Sequence, residues 1–381
     1  MNATVNIIGF FFEPESTPRS FRTVELTKGF CEMGFKVRLV LPDFHKRHYT
    51  HPNLEIIETP VGPFLARTAA NELPNLTRPG LPRHLRWLRV LGQRCLFPDI
   101  NALWIRNAFK HLVTNRTNLE ASATLSIGLP IAPMVLATKL KRAGLPVGKL
   151  IAEYGDPAIY GTGLLQGIAA EKERRLLRHV DVLTVNFSGA VSAFEYRGIP
   201  ASKIRVVPHI LPDDANEPKW TPHGKQAVNY VYGGAIYGER DISKLLAALK
   251  RVRREGGRQT LTVFTSVANL NPSVIAEAGE YLTLRQKVSP SAYRKVLLEF
   301  DAAINFIPSR SIHLPSKRMD FGAVGIPVFE IHPSDSVEDL AKKLRAGEFS
   351  PITCKDACTR SEAIAIYSEI IHGPETQSAT G

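Results

Sequence analysis

Short apolar runs alternate with longer stretches of helical spacing along most of this chain, and a glycine or proline marks each change of period. Val5-Asn-Ile-Ile-Gly-Phe-Phe-Phe12 reads as a buried strand, followed by a helix over 21–33 that Gly34 closes and a strand over 36–41. This is a βαβ opening, which predicts a doubly wound parallel sheet with ligands beyond the carboxyl ends of its strands. A strand over 54–59 follows, and then the pattern loosens. Alternation resumes with strands over 123–127, 149–154, 181–186 and 203–207, separated by helices over 132–143, 164–179 and 188–196.

Residues 208–227 hold prolines 208, 212, 218 and 222 and no periodicity, and read as a linker. A second alternation then begins. It predicts strands over 228–234, 260–265, 281–284, 302–306 and 327–331, with helices over 242–255, 291–300, 316–325 and 337–345 and a short one near 272–278. The expected organisation is an N-terminal Rossmann-like domain over 1–207, a second over 228–360, a C-terminal helix over 361–372 and a disordered tail over 373–381. At 381 residues the chain is too long for a single core, in keeping with two domains.

Composition narrows the partners. Lys plus Arg number 48 against 36 Asp plus Glu, a formal charge of +12, so anionic partners are expected: phosphates, acidic lipid surfaces or nucleic acid. No basic motif interleaved with aromatics accompanies that charge, which argues against nucleic acid. From Arg78 to Phe97 the chain carries five arginines and no acid, with Arg83, Arg86 and Arg89 at helical spacing beside Leu85, Trp87, Leu88 and Leu91. That pattern suits a helix lying on an anionic membrane surface, and equally an ordinary surface helix with snorkelling arginines. The apolar start lacks a basic lead and meets Glu13 and Glu15 at once, so a cytoplasmic protein, peripheral at the inner face of the plasma membrane, is expected. The uncharged run over 121–138 contains Gly128, Pro130 and Pro133 and reads as strand, turn and helix start. Cys31, Cys95, Cys354 and Cys358 are too scattered for a disulfide framework, and no second ligand pair accompanies Cys354 and Cys358.

Candidate chemistry concentrates between His313 and Phe329. Leu314-Pro315 disfavours helix upstream, Ser316 can cap the first turn, and Gly325 with Pro327 stops the helix. Lys317 and Arg318 stand on the positive end of that helix, a placement that suits a bound phosphate. Asp320, one turn on, could accept hydrogen bonds from a ribose diol; a solvated helix start is the alternative. In the first half, the loop between the opening strand and helix carries Arg19 and Arg22, which could face an acceptor substrate or simply solvent. Asp156 follows the strand over 149–154 in Glu153-Tyr154-Gly155-Asp156-Pro157, where it reads as a general base or as turn chemistry. Glu153 is the second choice of base, since strand alternation would bury it or turn it away. His209 and His313 have no partners in sequence.

Two α/β halves, one linker and a phosphate-ready helix in the second half resemble the GT-B fold of nucleotide-sugar glycosyltransferases: two Rossmann-like domains facing across a cleft, with the C-terminal helix able to return to the N-terminal domain. Tyr232-Gly233-Gly234-Ala235-Ile236-Tyr237-Gly238-Glu239-Arg240 resembles the Gly-rich loop opening the donor domain, and Leu314 through Val328 resembles its nucleotide-binding helix. Val180 through Asn186 and Ile204 through His209 resemble the end of the first domain. Within the family 4-like glycosyltransferases, Thr17-Pro18-Arg19, Ser316-Lys317 and Asp156 are similar to the inverting xanthan glucuronosyltransferases. The resemblance implies a nucleotide-sugar donor, UDP-sugar favoured, and a lipid-linked or oligosaccharide acceptor in bacterial exopolysaccharide, capsule or lipopolysaccharide synthesis. It places Lys317 on the diphosphate and the backbone at Ile236 and near Val288 in the nucleotide pocket. The paired glutamates of retaining enzymes are absent, with Ser311 and Ile312 near the first position and Asp320 at the second, which implies inversion. Arg240 and Lys317 as cationic clamps, and no Asp-x-Asp motif, imply that no metal or other cofactor is needed. A GT-B nucleotide-sugar epimerase and a non-catalytic GT-B subunit are the alternatives.

Overall fold

The structure, a computed structural model, describes residues 3–13, 18–44, 48–62, 101–155, 164–211, 219–223, 228–234, 236, 240–265, 274, 276, 280–307, 317–351 and 357–373. The basic segment at 78–97, the short helix near 272–278, the tail, Asp156, Ser316, His313, Cys95 and Cys354 fall outside them or almost wholly so. The chain divides into two units, Met1–Ile210 with Cys358–Gly381, and Leu211–Ala357.

The first unit is built on strands buried on both faces, the condition for an all-parallel sheet. These are β1 (Thr4–Ile8), β2 (Lys36–Pro42), β3 (Leu54–Thr59), β4 (Ala123–Ile127), β5 (Lys149–Glu153), β6 (Val182–Val185) and β7 (Ile204–Val206), in the order β3-β2-β1-β4-β5-β6-β7. Central β4 is buried at every position, whereas edge strand β3 alternates exposed and buried residues in its second half. Val5 lies opposite Val37 on one side and Ala123 on the other, so strand order reverses at β1 and β4. In such sheets the crevice for a ligand opens beyond the carboxyl ends at that reversal.

Helices α1 (Pro18–Glu32), α2 (Ala102–Thr114), α3 (Ala132–Arg142), α4 (Leu164–Leu177) and α5 (Val191–Glu195) connect these strands. Sequence alternation passes over α2, although Trp104, Ile105, Ala108 and Leu112 bury one face at helical spacing. The predicted helix over 188–196 divides into a 3-10 turn at Ser188–Ala190 and α5, one turn shorter than its pattern.

In the second unit, β9 (Asn229–Gly233), β10 (Thr260–Thr265), β11 (Leu282–Gln286), β12 (Ala302–Phe306) and β13 (Val328–Ile331) are also parallel, ordered β11-β10-β9-β12-β13. The order reverses at β9 and β12, where Val231 faces Thr262 and Ala303. Helices α6 (Ser243–Arg254), α7 (Pro290–Leu297), α8 (Lys317–Val324) and α9 (Val337–Ala346) belong to this unit. Ser289 caps α7 by accepting from the Ala292 amide, Pro290 opens its first turn, and α9 has a Ser336/Asp339 capping box and a left-handed Gly347. Trp220 docks its indole N–H on the Phe300 carbonyl at 2.7 Å and its amide on Val324, so part of the predicted linker packs against this unit.

Two short strands, β8 (His209–Ile210) and β14 (Ala357–Cys358), pair where the chain leaves the first unit and where it returns. The last helix, α10 (Arg360–His372), then packs into the first unit's core with Ala363, Ile364, Tyr367, Ile370 and Ile371 against Val24, Phe30 and Phe35. Close approach is possible because α1 has Gly29 there, where a Cβ would stand 2.6 Å from Ile364 Cγ1. Arg360 fastens the start of α10 to Glu25 at 2.8 Å and Glu32 at 2.9 Å, and Lys149 donates to the Ile370 carbonyl at 2.6 Å. Tyr367 is fully buried, so Tyr367→Ala removes an aromatic side chain from this contact and is expected to cost about 3–5 kcal/mol of unfolding free energy in urea titration.

Candidate functional site

Of the sequence-predicted donor residues, Gly233 and Lys317 meet at one aromatic ring, with Asp320 beside Lys317. β9 ends at Gly233, with Gly234 next, and across from it α7 sends up Tyr293, which is 2% exposed and packs edge-on against Phe264 at 5.9 Å. Gly233 is needed by this ring: a Cβ there would overlap it, 2.6 Å from the hydroxyl oxygen. Within the segment that resembles a Gly-rich loop, this glycine makes room for Tyr293. Gly234 is less constrained, its absent Cβ lying 3.0 Å from the Tyr232 hydroxyl.

On the Tyr293 ring sits the first residue of α8. The Lys317 ammonium lies 4.3 Å from the ring centroid and 3.6 Å from Asp320 Oδ2, while Arg294 donates to Asp320 Oδ1 at 3.3 Å. Asp320 therefore stands between two cations of unequal access, with Arg294 7% exposed and Lys317 37%. Lys317 is the member that can reach a ligand. Burial pulls its pKa below the ordinary lysine value, the Asp320 carboxylate counters that, and Lys287 and Arg294 add to the lowering. Burial, then the charge of Asp320, pushes the Tyr293 phenol well above its usual range. Its hydroxyl has no hydrogen-bond partner among the described residues.

Arg318, which shares the helix start with Lys317, points elsewhere and pairs with Glu330 of β13 at 2.9 Å. Ile236 and Val288 are half-buried against the hydrophobic clusters of this unit, and Arg240 is half-buried in the segment before α6. Tyr293 and Arg294 escape a reading by motif. Their only signal is an aromatic and an arginine in the first turn after Ser289-Pro290.

In the first unit, Arg22 corrects its expected role. It is 5% exposed and directed inward, its guanidinium donating to Glu153 Oε1 at 3.0 Å and to the carbonyls of Pro208 at 2.8 Å and Val207 at 3.2 Å. Burial lowers its pKa, and Glu153, then Tyr367 and Cys358, together more than restore it, leaving it raised. Arg22 is thus a structural tie. Arg19, one turn earlier, is half-buried with Nη1 4.0 Å from Glu153 Oε2. Among the described residues no group of three or more His, Cys, Asp or Glu side chains is arranged to hold a metal ion, and no helix is long and apolar enough to cross a membrane.

No protein-family model and no curated protein sequence matches this chain. Solved structures do. HepE of Anabaena, in complex with UDP and glucose, superposes with a TM-score of 0.57 at 12% identity, covering 97% of this chain and 95% of that one. The lipopolysaccharide outer core galactosyltransferase WaaB, in its apo form, gives 0.55 at 12% identity, covering 96% and 95%. UGT89C1 of Arabidopsis thaliana, complexed with UDP-L-rhamnose, gives 0.52 at 11% identity, covering 97% and 94%. With its two Rossmann-like parallel sheets, the chain has the GT-B fold of these structures.

The contact between Gly233 and Tyr293 predicts opposite effects for two substitutions. Gly233→Ala displaces the ring and is expected to destabilise by about 1–3 kcal/mol. Tyr293→Phe removes only a buried hydroxyl without a partner, and is expected to leave stability unchanged or raise it by up to about 1 kcal/mol in the same denaturant titration.

Proposed function

We propose that this protein is a glycosyltransferase whose second unit binds a nucleotide-diphosphate sugar, with Lys317 on the diphosphate and Asp320 on the ribose. The observation that carries the reading is the Lys317 ammonium, partly exposed on the first turn of α8 and held between the Tyr293 ring and Asp320. A cation fixed at a helix N-terminus is set against its own helix dipole, an arrangement that an added anion relieves. Similarity to HepE, solved with UDP and glucose, and to UGT89C1, solved with UDP-L-rhamnose, supports a UDP-sugar as donor. Ser316 would cap the same turn, and Gly233, Gly234, Ile236 and Val288 would form the nucleotide pocket, with Arg240 as a second phosphate clamp.

In the proposed reaction Asp156 takes the proton of an acceptor hydroxyl as its oxygen attacks the anomeric carbon from the face opposite the leaving group. The bond from that carbon to the diphosphate oxygen breaks, and its electron pair leaves with the diphosphate, whose charge Lys317 and Arg240 stabilise. The product has inverted configuration and no metal is required. Arg19 would meet the acceptor, a hexose- or glucuronic acid-accepting lipid-linked glycan of a bacterial surface polysaccharide. The arginine-rich segment at 78–97 and the charge of +12 support work at the anionic inner face of the plasma membrane.

A thermal-shift panel of UDP, GDP, dTDP and CMP with a chelator present tests the donor site. A shift with one diphosphate, UDP first, that Lys317→Ala abolishes is expected, since a ligand confined to the folded state must stabilise it. No shift with any nucleotide would refute the reading.

The lowered pKa of Lys317 has a sign that titration can check. As pH rises the ammonium is lost earlier than on a surface lysine, so UDP affinity should fall at a pH below the ordinary value of about 10.4, and Lys317→Arg should remove that alkaline decline. Without nucleotide the same shift acts oppositely on folding. The unfolded chain binds the extra proton, so the Lys317 contribution to stability increases as pH climbs from the lowered pKa to the ordinary one.

A further inference from the structure

Two buried polar atoms at the carboxyl ends of β5 and β6 accept no hydrogen bond among the described residues: Glu153 Oε2 and Asn186 Oδ1. Glu153, the last residue of β5, is 1% exposed and Asn186, just beyond β6, is 7% exposed. The strands are neighbours, with Glu153 opposite Thr184, so both side chains rise from the end of the sheet where doubly wound folds bind ligands. Arg22 holds Glu153 Oε1 at 3.0 Å, while Oε2 accepts no hydrogen bond and has the Arg19 guanidinium 4.0 Å away. Beside Asn186 and Arg19 stands Gly155, where a Cβ would lie 2.9 Å from Asn186 Cγ and 3.0 Å from Arg19 Nη1. The bare backbone at Gly155 lets the amide and the Arg19 guanidinium close on one place.

A buried acceptor without a donor is costly, and an open carboxylate oxygen more so, which marks a place that a ligand completes. The residues constrain its chemistry. An anion is repelled by Glu153, and a small cation by Arg19, whose Nη1 lies 4.0 Å from Glu153 Oε2. A neutral group carrying several hydroxyls fits both: its O–H groups donate to Glu153 Oε2 and Asn186 Oδ1, and Arg19 donates to one of its oxygens. We propose that Glu153, Asn186 and Arg19 form a hydroxyl-recognising subsite that orients the sugar ring of the acceptor. That the occupant is the acceptor rests on the glycosyltransferase reading. Glu153 then binds and orients a hydroxyl, and the proton-accepting role stays with Asp156.

Saturation-transfer NMR with the methyl glycosides of glucose, galactose, mannose and glucuronic acid tests the subsite, with the UDP thermal shift run on the same samples. Glu153→Gln keeps an acceptor for Arg22 and turns the open arm into a donor, and Asn186→Ala removes Oδ1 without touching the Arg22 tie. At least one glycoside should bind the wild type, and each substitution should weaken it by about ten-fold or more, with the UDP shift and the melting temperature of Asn186→Ala unchanged. UDP binding with no glycoside bound, or with equal glycoside binding in all variants, overturns the subsite and leaves the donor reading standing. Glycoside binding that the variants lose, without any UDP shift, upholds the subsite and overturns the donor reading. If neither ligand binds, both fall.

Discussion

A buried guanidinium must have its donors satisfied and its charge balanced inside the protein, and Arg22 meets that demand with groups from two separate parts of the first unit. It rises from α1, meets Glu153 at the end of β5, and donates to Val207 and Pro208 as the chain leaves the sheet. Losing Glu153 would strand a charge in the interior, and losing either carbonyl would leave a buried N–H without its acceptor. The tie fixes where α1 lies against the carboxyl ends of the strands, and with it where Arg19 stands. Tyr367 of α10 packs nearby, adding its polarity to the electrostatics of Arg22 and donating to or accepting from Thr184 at 3.1 Å. The last helix is therefore part of the wall behind this end of the sheet, and the first unit needs the chain's C-terminal residues to complete its core.

The second unit solves the opposite problem, keeping a charge available. Arg294 is buried to hold Asp320, Asp320 in turn orients Lys317, and the Tyr293 ring supports the ammonium from below. Only the last member of this series is substantially exposed. Rigid support behind an accessible cation suits the binding of an anionic group with little reorganisation. Gly233 participates by omission, since the ring could not lie where it does beneath any larger residue.

Periodicity and punctuation carried most of the architecture. Strands at Leu54–Thr59, Ala123–Ile127, Thr260–Thr265 and Ala302–Phe306 keep the predicted bounds residue for residue: the inner ones are buried along nearly their whole length, and the edge strand Leu54–Thr59 keeps Glu55 and Glu58 exposed. Helix α2 was legible too, in Trp104, Ile105, Ala108 and Leu112, but it follows a stretch whose arginines dominate the pattern. Side-chain direction was less accessible. Arg19 and Arg22 look alike in a polar loop, and only the carbonyls of Val207 and Pro208, far along the chain, decide that Arg22 turns inward. Strand alternation did foretell that Glu153 is buried, though not that Arg22 would meet it there. Tyr293 has no motif, because its role comes from the space at Gly233, a contact between residues sixty apart in sequence that no local rule can express.

The central claim is that a nucleotide diphosphate lies against Gly233–Gly234 and the first turn of α8. Hydrogen exchange of the protein with and without saturating UDP reads that location directly. The account predicts slowed exchange in peptides covering 232–240 and 316–321, with the peptides of β2 and β3 unchanged. UDP-dependent protection confined to other segments, or none at saturation, would contradict it.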